Sequence, residues 1–369
     1  AGARAARATT PLPSSLGGRA GRPFGPLEGL WGALDRARSW VLGACGVAFC
    51  RALVMPRDRR VGFAGAALGV SALLLASTVP LWMLVLGPLL WGVPHVLADV
   101  RYLVVRPGYH RRALFMGVLS LGLAAAFVLG LRGGLLAVAG TVAVARGSLA
   151  RKLVALGVVG GLYALAELSG WVADAVLVHA HNLVGVGLWW AWRRRAPGAR
   201  AHYLPLGVFA LGSALILLGA HEPLFAAAGA DEAAWTKLDF GELEWAFAPT
   251  LEGPIASRLV VLFAFQQAMH YVVWLRLVPD EARPQPTPRS FRTSWRALVR
   301  ELGPWVLLAA AGGSLVFWGW ALGSPAGARH AYLTVSFFHV YLELVAVGVF
   351  WVEGRFARRA RGEPLVPST

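Results

Sequence analysis

The residues best suited to chemistry lie in one apolar stretch, Gly92-Val93-Pro94-His95-Val96-Leu97-Ala98-Asp99. His95 and Asp99 are four residues apart, so on a helix both side chains lie on one face. Ionisable groups within a membrane are costly, and they usually face the interior of a helix bundle and mark a functional site. This stretch therefore predicts a buried site.

Other apolar segments carry histidines at similar predicted depths: His179 and His181 in one, His270 and His339 in two more. Neutral imidazole is a good ligand for iron, copper and zinc. We expect histidines from four helices to bind one buried metal ion. His179 and His181 are about 200° apart on a helix, so one of them faces the metal, and we favour His181.

Histidine ligands usually donate their second N–H to a carboxylate or carbonyl, which orients the ring. The helical spacing offers such a partner near each histidine. The predicted orienting residues are Asp99 for His95, Glu343 for His339, Gln266 for His270, Asn182 for His179 and Asp174 for His181. Phe337 and Phe338, beside His339, could line an apolar substrate tunnel, although lipid or helix packing is the other interpretation.

The composition is that of a membrane protein. The 369 residues are 57% hydrophobic and only 15% charged, whereas soluble domains have about 25% charged residues. The net charge of +16 comes from arginines in short loops, where they set topology, so we do not expect nucleic-acid binding. Tryptophans near span ends, Trp274 among them, are interpreted as residues of the membrane interface.

These features predict an all-α, polytopic bundle with about ten transmembrane helices, each of about 20 apolar residues. The predicted spans are 61–79, 81–104, 112–131, 133–147, 152–169, 171–192, 203–220, 257–277, 303–322 and 330–352. We expect three regions. They are a cytoplasmic arm over 1–60 with an interfacial helix at 39–55, the bundle over 61–353, and a cytoplasmic tail over 354–369.

Arginine-rich loops alternate with arginine-poor ones, which predicts that both termini are cytoplasmic. We expect the membrane to be a bacterial inner membrane. The opposite side carries one long acidic loop, 221–256, which is predicted to be a cap outside the cytoplasm. It is either an interfacial anchor or a lid over a substrate entrance.

The Gly-x-Pro-His-x-x-x-Asp pattern at Gly92 to Asp99 resembles the Brp/Blh family of membrane β-carotene 15,15′-dioxygenases, although Val96 stands where that family usually has glycine. The resemblance implies a polytopic enzyme that holds non-haem Fe(II) through histidines, His95 among them. It also implies cleavage of a lipid-soluble carotenoid to retinal with dioxygen. Copper and zinc remain open as the metal.

Two other functional classes remain open. One is a transporter or proton relay that uses a buried chain of His, Asp and Glu side chains. The other is a haem-binding electron carrier with histidines as axial ligands. Metal content and an absorption spectrum would distinguish the three classes.

Overall fold

The structure is a computed structural model that describes residues 25–192, 200–283 and 285–360. These residues form an all-helical protein without β-strands. The predictions for residues 1–24 and 361–369 lie outside them. The helices, labelled in chain order, are α1 (Gly25–Ala44), α2 (Val47–Val54), α3 (Arg57–Thr78), α4 (Pro80–Val105), α5 (Ala113–Leu129), α6 (Leu131–Val144), α7 (Leu149–Ser169), α8 (Trp171–Trp192), α9 (Tyr203–Leu217), α10 (Glu222–Ala228), α11 (Phe240–Phe247), α12 (Pro254–Glu281), α13 (Phe291–Leu302), α14 (Pro304–Gly323), α15 (Pro325–Val352) and α16 (Arg355–Ala360).

Seven of these helices are long and apolar enough to cross a membrane: α3, α4, α7, α8, α12, α14 and α15. The number rises to nine if the bent pairs α1–α2 and α9–α10 each count as one span. The all-helical membrane bundle is therefore confirmed in outline, and the prediction of ten spans is not. The interfacial helix predicted at 39–55 is interrupted, because α1 and α2 meet at an angle of 105°.

The predicted spans 112–131 and 133–147 correspond to a short helical hairpin. α6 has 14 residues, which at 1.5 Å per residue span about 21 Å of a core about 30 Å thick. The two helices pack closely, because a Cβ added at Gly122 would lie 2.5 Å from Ala137 Cα. Small residues permit this approach. The length of an apolar run in the sequence does not show where a helix ends, so the sequence did not reveal that these helices are short.

α4 begins at Pro80 and contains two more prolines, and side chains from other helices compensate for the backbone donors that these two remove. Pro88 has no N–H to donate to the carbonyl of Leu84, and Arg329 Nε donates to that carbonyl over 2.7 Å. Around Pro88–Gly92 the helix is a π-helix, in which each N–H pairs with the carbonyl five residues before it. Pro94 therefore leaves the carbonyl of Leu89 without a backbone donor, and Trp318 Nε1 donates to that carbonyl, also over 2.7 Å. Buried backbone carbonyls require such partners. These two bonds fix α14 and α15 against the part of α4 that carries His95.

The acidic segment 221–256 contains α10 and α11 and packs at the N-terminal ends of α4 and α8. Trp235 stacks on Trp82 with ring centroids 4.9 Å apart, and Trp245 stacks on Trp171 at 5.1 Å. Phe247 stacks on Phe263 of α12 at 4.2 Å. These aromatic contacts join the segment to three of the four helices that carry the predicted site.

At the other end of the bundle, α13 is fixed to α4 by ion pairs. Glu301 accepts hydrogen bonds of 2.8 to 3.0 Å from Arg101 and from Arg106. Burial raises the pKa of Glu301, but these guanidinium groups outweigh it and lower the pKa to about 2. Glu301 therefore stays ionised at any physiological pH, and α13 remains attached.

His202, in the turn before α9, joins three elements and makes the fold sensitive to pH. It is 2% exposed; its Nε2 lies 2.5 Å from Glu281 Oε1, and its Nδ1 contacts Asp58. Both contacts need a ring protonated on both nitrogens. Burial lowers the pKa of His202, but the hydrogen bonds and charges of Glu281 and Asp58 raise it further, above its ordinary value.

We predict that His202→Gln destabilises the protein in a pH-dependent way. A raised pKa contributes stability that is fully present below the unfolded pKa of about 6.5 and is lost as the pH rises through the folded pKa. The melting temperature of the variant in detergent should therefore lie below that of the wild type at pH 6, and the difference should shrink towards pH 9. A difference that does not change with pH would contradict the double contact.

Candidate metal centre

The structure brings together four predicted histidines from four long apolar helices. His95 comes from α4, His181 from α8, His270 from α12 and His339 from α15, and all four are buried. The ring centroid of His95 lies 4.7 Å from that of His270 and 4.9 Å from that of His339. The centroid of His181 lies 5.0 and 5.7 Å from those of His270 and His339. We call these four residues the imidazole cluster.

Backbone carbonyls orient two rings of the cluster. His181 Nδ1 donates to the carbonyl of Val178 over 2.7 Å, and His339 Nδ1 donates to that of Ser336 over 2.5 Å. The helix is interrupted at Phe337, where Val340 N bonds to the Phe337 carbonyl. This leaves the Ser336 carbonyl for the imidazole. With Nδ1 protonated, Nε2 keeps its lone pair for a metal.

The other two rings meet directly, with His95 Nε2 2.7 Å from His270 Nε2. Two neutral imidazoles at this distance have two arrangements. One ring donates its Nε2–H to the Nε2 of the other, or both rings direct the lone pair of Nε2 at one cation. Ligand nitrogens about 2.1 Å from a metal ion and at right angles are about 3 Å apart. The separation therefore fits adjacent ligands of one ion.

Two carboxylates, both fully buried, lie beside the cluster. Asp99 Oδ2 is 3.4 Å from His95 Nε2, as the helical spacing predicts. Glu343 Oε1 is 3.1 Å from His270 Nε2 and accepts a hydrogen bond of 2.8 Å from Trp274 Nε1. The predicted partner of Glu343 was His339, on its own helix. The assignment to His339 is therefore wrong, because Glu343 reaches across to α12.

Three other predicted residues lie apart from the cluster. His179 points to the acidic segment, with Nε2 3.2 Å from the carbonyl of Phe247. His181 therefore faces the cluster, but it belongs to neither three-residue ligand set, and its role as a ligand stays a prediction. Asp174 is exposed, and the Val178 carbonyl accepts from His181 in its place. Asn182 is buried and donates to that same carbonyl over 3.3 Å, while its Oδ1, predicted to accept from His179, has no hydrogen-bond partner among the described residues.

Gln266 is buried, and its side chain interacts with that of His179. His270 Nδ1 has no hydrogen-bond partner among the described residues, so the structure places Gln266 beside His179 and not, as predicted, beside His270. Phe337 and Phe338 are half-buried, and Phe337 packs edge-on against Tyr341 at 5.2 Å. The substrate tunnel at these two residues likewise stays a prediction.

The sequence reasoning missed two features of the site. Trp274, interpreted as an interface residue, is fully buried and donates to Glu343. Its position four residues after His270, on the same helical face, was the available signal. Gly185 is the second, because a Cβ there would lie 2.6 Å from His270 Nδ1. Only a residue without a side chain lets α8 approach the His270 ring this closely.

The donor set fits a transition metal. His95, His270 and His339 each offer a ligand nitrogen within 4.8 Å of the others, and His95, Asp99 and Glu343 form a second set under the same limit. Imidazole-rich sites suit iron, copper and zinc, whereas magnesium and calcium prefer oxygen ligands. The polar cluster is surrounded by apolar helices, which is the dry environment that strengthens metal–ligand bonding.

Comparisons of this chain with models of known protein families, with curated proteins and with solved structures find no match. The likeness to the Brp/Blh family rests on the residue pattern at Gly92 to Asp99.

We predict that Gly185→Ala weakens metal binding without unfolding the protein. The added methyl group must displace the His270 ring, and disturbing groups that orient ligands typically costs about 10- to 100-fold in metal affinity. The control is Gly187→Ala on the same helix, where a Cβ would meet no atom within 4 Å. Metal titration of the two purified variants tests this, and equal affinities would contradict the close approach.

Proposed function

We propose that this protein is a membrane-embedded, histidine-ligated metal enzyme, a non-haem iron oxygenase that acts on a lipid-soluble polyene such as a carotenoid. The observation that supports it best is the convergence of four buried imidazoles from four separate helices, with two buried carboxylates beside them. Bringing so many polar side chains into an apolar bundle is costly, and binding a cation compensates for that cost.

The depth of the cluster supports a lipid-soluble substrate. Each of the four histidines is at least ten residues from either end of its helix, which corresponds to about 15 Å of helix on both sides. A substrate that dissolves in the hydrocarbon core can reach this depth directly from the lipid. A polyene satisfies this condition, and so does dioxygen.

Iron(II) bound here would supply the means to activate dioxygen, so that each carbon of one cleaved double bond gains one oxygen atom. The protein's residues contribute geometry. Val178 and Ser336 hold the rings of His181 and His339 with Nε2 free, and Trp274 fixes the carboxylate of Glu343. α4 presents His95 and Asp99 on one face.

A proton relay is the second candidate, and one observation favours it. Asp99, His95, His270 and Glu343 form a continuous polar chain with separations of 3.4, 2.7 and 3.1 Å. Protons can pass along such a chain without a metal. The haem alternative fits less well, because His95 Nε2 lies 2.7 Å from His270 Nε2 and so occupies the space that a porphyrin bound to either ring would need.

The neighbouring histidines of α8 provide a matched test of metal binding. We expect the protein purified in detergent to contain iron, and we expect His181→Gln to lose most of it. His179→Gln, two residues away on the other face of the helix, should retain the wild-type content. Elemental analysis of the three proteins decides the matter. Wild-type protein without metal would favour the proton relay.

The activity has its own test. Membranes that contain the wild-type protein should convert β-carotene to retinal in the presence of dioxygen, and chromatography of the extracted pigments should show the product. His95→Gln should reduce conversion by about 100-fold or more, since removal of a ligand removes the metal's role in the reaction. Conversion by the variant at the wild-type rate would contradict the proposal, and metal content without conversion would point to another substrate.

A further inference from the structure

Asp99 and Glu343 have more hydrogen-bond acceptor atoms than they need to orient a histidine. Asp99 Oδ1, Asp99 Oδ2 and Glu343 Oε2 are buried and accept no hydrogen bond from the described residues. Both side chains have zero exposure. A carboxylate that merely orients a histidine accepts a hydrogen bond from it, yet Asp99 makes only a 3.4 Å approach to His95.

Leaving three carboxylate oxygens unpaired at this depth is expensive. A buried acceptor without a partner keeps the full cost of its desolvation, and that cost is larger when the group is charged. Buried charges are therefore paired or coordinate metals. The imidazole cluster itself supplies no fixed positive charge, because its rings are neutral when they bind a metal.

The donor atoms form two sets of three that share His95. One set consists of His95, His270 and His339, and the other consists of His95, Asp99 and Glu343. Glu343 connects the two, because its Oε1 lies 3.1 Å from His270 Nε2 while its Oε2 is unpaired. A carboxylate placed in this way can bridge two neighbouring cations with its two oxygens.

We propose that the centre holds two metal ions, one bound mainly by the imidazole cluster and the other by Asp99 and Glu343. The inference rests on the proposed function and refines its metal site. His95 has one lone pair on Nε2, so it binds one of the two ions. Ions in two-metal sites are about 3.5–4 Å apart, a distance that one bridging carboxylate spans.

The two positions differ in chemistry. The imidazole position has nitrogen donors and suits iron, copper or zinc, whereas the carboxylate position offers oxygen donors, which iron and manganese accept readily. Loss of one carboxylate should therefore empty the second position and leave the first occupied. Coordination of all these groups to a single ion predicts instead one ion in the wild type.

The experiment counts metal ions in the full chain, purified in detergent and loaded anaerobically with Fe(II) alone, because both positions accept iron. We expect about two Fe(II) per wild-type chain and about one in Asp99→Asn. The matched control is Glu167→Gln, whose carboxylate is half-exposed and pairs with Arg132 on the bundle surface; it should keep two. Size-exclusion chromatography establishes that each variant is folded.

Electron paramagnetic resonance of the iron-loaded protein after oxidation in air provides a second readout that requires no variant. Two Fe(III) ions about 4 Å apart and joined by a bridging ligand are magnetically coupled and give no signal, whereas an isolated Fe(III) ion gives one. One iron per wild-type chain with the signal of an isolated ion would overturn the two-ion centre and leave the proposed metal enzyme intact. A wild-type chain that binds no iron would overturn both.

Discussion

The structure depends on the requirement that polar groups buried among apolar helices find partners. In α4, α8, α12 and α15 one cluster meets this requirement in part: Asp99, His95, His270 and Glu343 follow one another at 2.7 to 3.4 Å, and the carboxylate oxygens that lack a partner are those assigned to a metal. These groups are buried, so each helix must turn its polar side chain to the same point. The other parts of the bundle act mainly to hold these four helices in that orientation.

Irregular helix geometry places the site. A carbonyl that loses its backbone N–H partner needs a donor from elsewhere. The interruption at Phe337 leaves the Ser336 carbonyl for His339, and Pro88 and Pro94 leave carbonyls for Arg329 and Trp318. Gly185 removes the side chain that would otherwise collide with His270. Departures from ideal geometry therefore coincide with the residues that carry the proposed chemistry.

The ends of the bundle are fixed by two different kinds of contact. At one end stacked tryptophan and phenylalanine rings attach the acidic segment to α4, α8 and α12. At the other end buried ion pairs do this work, with Glu301 between two arginines and His202 between two carboxylates. Apolar helices gain little from association in lipid, so specific contacts at both ends help to set their arrangement.

The sequence by itself determined the helical membrane class, the four helices of the site and the pairing of His95 with Asp99, because these follow from apolar length and helical period. Helical period also showed that only one of His179 and His181 faces the site, since residues about 200° apart cannot share a face, whereas the reason for favouring His181, a partner at Asp174, failed because Asp174 is exposed. Only the tertiary structure decided that Glu343 meets His270, that Trp274 is buried and that the hairpin α5–α6 is short. The physical reason is that helical period fixes directions within one helix, whereas contacts between helices depend on how the helices rotate, bend and approach one another.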